Sequence, residues 1–126
     1  MPLFSVRTRD DWGVGEIGAL PAHAEWLKSA GVGLVQILPV HELAGAETSP
    51  YGARTAFGLD PVYVSLGKVP DLDAEGLARA LEGGGAAELA RVRALPAVDY
   101  AASRALKSRA LSVAFERFLE RELLRD

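Results

Sequence analysis

Short apolar runs punctuate the first half of this chain, and apolar positions three and four residues apart fill the second half. Leu3 to Val6 is the first run and predicts a buried strand. Arg7 to Gly18 follows as a polar, glycine-rich loop. Pro21 suits the first turn of a helix, and Ala22, Trp26 and Ala30 at i, i+4 and i+8 predict a helix over 22–30. Gly31 is its expected stop. The run Leu34 to Val40 is nearly continuous in apolar residues, the pattern of a parallel strand covered on both faces. Strand, loop, helix, glycine and strand make one right-handed βαβ unit. His41 to Asp60 is then a loop long enough to suggest a function. Val62 to Leu66 predicts a third strand.

Beyond Leu66 the period changes to that of helices. Asp71 to Glu82 predicts a short helix stopped by Gly83, Gly84 and Gly85. Ala86 to Leu95 predicts another, ended by Pro96. Asp99 is a good N-cap for a long helix from about Tyr100 to Leu124, with Leu111, Ala114, Phe115, Phe118 and Leu119 as its expected buried stripe. Residues 1–68 and 69–126 thus read as two units, the first α/β and the second helical. The last helix has no stop signal and leaves Leu123 and Leu124 stranded, so the chain is expected to continue beyond Asp126.

With 126 residues, 49% hydrophobic and 25% charged, the composition is that of one globular domain. A complete (β/α)₈ barrel takes roughly 250 residues. The net charge of −3, with scattered Lys and Arg, argues against nucleic acid as a partner. No run approaches the ~18 apolar residues of a membrane span, and the N-terminus lacks the pattern of a signal peptide. Cysteine is absent, which excludes disulfides and thiolate zinc sites. A soluble cytoplasmic protein is the expectation.

Gly13-Val14-Gly15-Glu16-Ile17-Gly18 matches the dinucleotide pattern G-x-G-x-x-G, with Glu42 beyond it as a ribose-binding acid. Six residues, Arg7 to Trp12, separate it from the preceding strand, whereas a pyrophosphate loop follows its strand directly. A substrate-side loop or ordinary turn chemistry is therefore preferred. His23, His41 and Glu42 lack close metal-ligand spacing, so no metal or other cofactor is expected. Glycosidase chemistry needs two carboxylates flanking the scissile bond. Glu42, Glu47 and Asp60 lie on the long loop, but they read as solvated acids, and Asp60-Pro61 as a turn that starts the next strand. No Ser-His-Asp or Cys-His arrangement can be assembled. Rings stack on pyranose faces, which makes Trp12, Tyr51, Phe57 and Tyr63 the candidates for sugar contact. Trp26, Phe115 and Phe118 are expected in the core. Tyr51, between Pro50 and Gly52, is the strongest candidate.

The order of these motifs resembles one family. LFSVRTRDDWGVGEIGAL, then EWLKSAGVGLVQILPV, then the Ser49-Pro50-Tyr51 loop and AFGLDPVYVSL are similar to the N-terminal barrel region of the amylomaltases. These are the 4-α-glucanotransferases of glycoside hydrolase family seventy-seven. The resemblance is close from Pro2 to about Leu66, and Val98-Asp99-Tyr100 with its helix resembles that family's helical insertion. It implies that 1–68 holds the first strands and helix of a (β/α)₈ TIM-type barrel with its substrate loop, and 69–126 the start of the insertion. The activity implied is retaining transfer of α-1,4-glucan segments between maltodextrins. Ser49 and Tyr51 would line the glucan subsites, and the Trp12 to Gly18 loop would follow the first barrel strand. Asp60 stands where the family commonly has Asn, and Glu47-Thr48 where it commonly has Gly-Asp. The family's nucleophilic Asp, acid/base Glu and stabilising Asp would lie downstream, so no catalytic residue is assigned and these 126 residues alone are expected to be inactive and prone to aggregate. The rest of the barrel would be their partner. The alternative is a stand-alone carbohydrate-binding or regulatory module.

Overall fold

The computed structural model describes residues 1–123, so the expected helical position Leu124 lies outside it. Four helices carry the fold: α1 (Leu20–Ser29), α2 (Ala74–Ala80), α3 (Gly85–Ala94) and α4 (Tyr100–Leu123). Their ends follow local chemistry. Pro21 occupies the first turn of α1, and Gly31 follows it at φ +85, a conformation that glycine adopts without steric cost. The Asp73 carboxylate accepts from Gly76 N at 2.9 Å to cap α2. Asp99 accepts from Ala102 N at 3.0 Å to cap α4.

α2 and α3 pack against α4. Leu72, Ala80, Leu89, Val92, Leu106, Ala110, Val113 and Ala114 form the larger core, which also takes in Trp12 and Leu66 from the N-terminal half. A smaller cluster joins Leu3, Val6, Val14, Val62 and Tyr63, with Val98 and Tyr100 against its side. Both clusters therefore draw on residues from either side of position 68.

The buried stripe of α4 differs from the expected one. Ser103, Leu106, Lys107, Ala110, Val113 and Ala114 face inward, whereas Phe115 and Phe118 are exposed. The stripe lies about one residue, or ~100° of helix, from the expected stripe. The buried side carries small residues, Ser103, Ala110 and Ala114, beside Leu106, Val113 and Lys107. Trp26, also expected in the core, is 64% exposed, and no residue of α1 is buried.

The three expected strands form no named strand among the described residues. Leu3–Ser5 is a 3₁₀ turn, although Leu3 and Val6 are buried as expected. Residues 34–40 belong to no named element. The Met1 ammonium donates to Gln36 O at 2.6 Å and Leu38 N donates to Met1 O at 2.9 Å, a parallel pairing about Ile37 that is one residue long. A strand persists only where neighbours complete its ladder, and Leu34 instead stands exposed. Pro61–Tyr63 and Leu66–Lys68 are 3₁₀ turns in place of the third strand. The Asp60 side chain caps the first of them at Val62 N, and Pro61 presets its φ. No described helix is long and apolar enough to cross a membrane.

Candidate functional site

The long loop is built on a narrow antiparallel stem. His41 bridges Leu59, and Leu43 bridges Ala53. Asp60 N donates to Val40 O at 2.9 Å, Glu42 N to Gly58 O at 3.1 Å, and Arg54 N to Glu42 O at 2.7 Å. Above the stem the chain turns twice. Glu47 N donates to Ala44 O at 3.0 Å, and Gly52 N closes the Ser49–Gly52 turn on Ser49 O at 2.9 Å. Pro50 occupies the second position of that turn, where its fixed φ is already correct.

Side chains then pin the tip. One Glu47 carboxylate oxygen accepts from Thr48 N at 2.9 Å and from Ser49 N at 2.8 Å. The Ser49 and Thr48 amides hold the Glu47 carboxyl below its ordinary value of 4.5. Ser49 Oγ accepts from Tyr51 N at 3.3 Å, which leaves the hydroxyl proton available to donate outward. The Tyr51 ring is 73% exposed, and Phe57 on the same loop is fully exposed. An unburied aromatic ring and a free hydroxyl proton on a pinned turn can stack on a sugar face and orient its hydroxyls.

The structure brings Ser49 and Tyr51 together at this tip and places Trp12 elsewhere. Trp12 is 5% exposed and packs in the larger core, and Tyr63 is buried in the smaller one. Burial pushes the phenols of Tyr63 and Tyr100 above their ordinary value of 10. The indole is drawn inward because the loop before it satisfies its own backbone. Asp11 accepts from Thr8 N at 2.7 Å and Gly13 N at 2.9 Å, and Glu16 accepts from Trp12 N at 3.2 Å. Within the glycine motif, Gly13 N is held by Asp11, Gly15 N donates to Phe4 O at 2.9 Å and Gly18 N to Ser65 Oγ at 2.9 Å, so all three glycine amides that a pyrophosphate could approach are already engaged. The glycine pattern instead serves close packing: a Cβ at Gly13 would lie 2.8 Å from Val92 Cγ2.

The loop acids are engaged with the fold. Glu42 stands 3.9 Å from the Arg54 guanidinium at the surface, and Glu47 caps the turn. Asp60 is 1% exposed. Its Oδ1 accepts from Val62 N at 2.9 Å and Arg104 Nη1 at 2.7 Å, while Oδ2 accepts from Arg104 Nη2 at 2.6 Å and Leu43 N at 3.4 Å. Arg104 escaped the sequence analysis because it lies 44 positions away on α4. His41 Nδ1 is buried without a partner, and His23 lies beside Trp26 with ring centroids 5.7 Å apart. Among the described residues no group of three His, Asp or Glu is placed to hold a metal ion.

Comparison with known proteins adds to this geometry. A profile described as 4-alpha-glucanotransferase matches residues 1–125. The 4-alpha-glucanotransferase of Chlamydia pneumoniae is 34% identical over 73 residues, covering 58% of this chain and 14% of that protein. That of Chlamydia caviae is 37% identical over 70 residues, covering 56% of this chain and 13% of its own length. That of Mycobacterium tuberculosis is 35% identical over 80 residues, covering 56% of this chain and 11% of its own length. The chain therefore spans about a seventh or less of the curated relatives it matches.

Proposed function

The chain belongs to the 4-alpha-glucanotransferase family of glycoside hydrolases, and from that membership we propose that it contributes the substrate loop of an enzyme transferring α-1,4-glucan segments between maltodextrins in the cytoplasm. In this proposal residues 1–68 are the first part of a (β/α)₈ barrel and 69–126 the start of a helical insertion. Tyr51 stacks on a glucosyl ring and Ser49 donates to one of its hydroxyls. The observation that carries the proposal is the exposed Tyr51 ring on a turn pinned by Glu47 and Ser49. A pinned ring loses little freedom on binding, so more of its stacking energy reaches the complex.

Retention of configuration requires two carboxyl groups about 5–5.5 Å apart across the scissile bond. Glu47 is occupied with the turn, and Asp60 with Arg104. The reacting pair is therefore proposed to come from outside these 126 residues. Trp12, packed in the larger core, is not part of the proposed contact surface.

Glucose release from maltotriose by the complete gene product tests the proposal. The 126-residue chain alone should release none. Tyr51→Ala in the complete product should lower kcat/KM for maltotriose by about tenfold or more. Unchanged kinetics for that variant would remove the loop from the glucan site.

A further inference from the structure

We propose that Asp60 and Arg104 form a positioning clamp through which the helical segment sets the orientation of the Ser49–Tyr51 turn. This rests on the proposed role of that turn in holding glucan. The Asp60 carboxylate gathers four donors, and they come from three parts of the chain. Two are the fork of Arg104 on α4, one is Val62 N in the following 3₁₀ turn, and one is Leu43 N in the loop stem. Leu43 bridges Ala53, the next residue Ala44 accepts from Glu47 N, and Gly52 N closes the turn on Ser49 O. Asp60 is thus linked to the tip through Leu43 and the neighbouring Ala44, whose N donates to Gly52 O at 3.5 Å, and in the proposal this connection carries a displacement of Asp60 to the turn.

The chemistry requires a carboxylate at position 60. A carboxylate accepts at both oxygens, which a forked guanidinium can engage together. An Asn side chain accepts at one end only, and its NH₂ group would face Arg104 Nη2 and Leu43 N, both donors. Asp60 and Arg104 therefore act as one unit. The pair also joins residues on either side of position 68, so α4 becomes part of the loop's support. Neither side chain is proposed to touch the reacting atoms.

The test uses the complete gene product with Asp60→Asn, Arg104→Gln, Arg104→Lys and the Asp60→Asn/Arg104→Gln double variant, with Tyr51→Ala in parallel. Each is assayed for KM and kcat on maltotriose, and for amide hydrogen exchange in peptides covering 42–57 and α2 to α4. Asp60→Asn and Arg104→Gln should each raise KM about tenfold with kcat changed less than about twofold, the pattern of weakened binding. Exchange across 42–57 should accelerate while α2 to α4 keep their protection. Arg104→Lys should recover only part of KM, because an ammonium lacks the fork. The double variant should be little worse than either single one, as for two halves of one interaction. If Asp60→Asn fails to fold, Arg104→Gln alone decides. Unchanged KM with wild-type exchange in 42–57, or protection lost equally throughout α2 to α4, would overturn the clamp. If Tyr51→Ala leaves KM unchanged, the glucan role of the turn fails, and the 42–57 exchange alone then decides the clamp.

Discussion

A single carboxylate oxygen of Glu47 holds two consecutive amides of the candidate turn. Because those bonds favour the charged form, this support is fully present above the ordinary value of 4.5 and is lost as pH falls through the lowered value of the folded turn. The Glu47 carboxyl carbon should therefore titrate by NMR with a midpoint below 4.5, and exchange of the Thr48 and Ser49 amides should speed up in parallel with its protonation. A midpoint at or above 4.5 would contradict the cap. Gly13 offers a second check at the scale of one residue. It sits at φ +87 with Ser103 Oγ 2.6 Å from the position of a Cβ. Gly13→Ala combines backbone strain with overpacking and should cost about 2–4 kcal/mol in urea unfolding. The turn that exposes Tyr51 was legible in the sequence because Pro50 and Gly52 are both turn-forming residues. The burial of Trp12 was not, since a large ring beside glycines looks alike on a loop surface and in a core.

Helix boundaries are set largely by neighbours in sequence, which is why Pro21, Gly31 and Asp99 mark them, whereas the helix expected over Asp71 to Glu82 is shorter, Ala74–Ala80, with Asp73 as its cap. Helix orientation is set by what packs against it. Lys107, 1% exposed, lies on the buried side of α4 and donates to Glu16 Oε1 at 2.6 Å and to Val64 O at 2.7 Å. Sequence periodicity scores such a lysine as solvated, so the true stripe was hidden. Lys107→Met should destabilise the fold by about 3–5 kcal/mol, because Glu16 is left buried and unpaired. The Lys107→Met/Glu16→Gln double variant should recover much of that loss in urea denaturation, and failure to recover it would argue against a coupled pair. Burial holds the Lys107 ammonium below its ordinary value of 10.5, with Glu16 opposing in part. Between the lowered value and 10.5 the unfolded chain binds the proton more tightly, so this group alone makes stability rise with pH in that window.

Across the whole molecule, apolar surface is distributed unevenly. α1 buries no residue, and Trp26, Val32 and Leu34 stand exposed close together in sequence, while α2, α3 and α4 enclose the larger core. Exposed apolar surface of this kind drives association. The 126-residue chain should therefore bind 8-anilinonaphthalene-1-sulfonate and sediment as species larger than a monomer at tens of micromolar, an order-of-magnitude expectation. Trp26→Lys/Leu34→Lys should shift it toward monomer, and a purely monomeric wild-type chain would contradict the expectation. The sequence by itself determined most helix ends, the turn at Ser49–Gly52 and the family, because caps, turns and motifs depend on residues adjacent along the chain. Tertiary structure decided which side of α4 is buried, that the apolar runs form no named strand among the described residues, and that Asp60 meets Arg104. Those outcomes depend on which groups arrive from distant positions to complete a ladder, fill a seam or neutralise a charge, and local composition carries no record of that arrival.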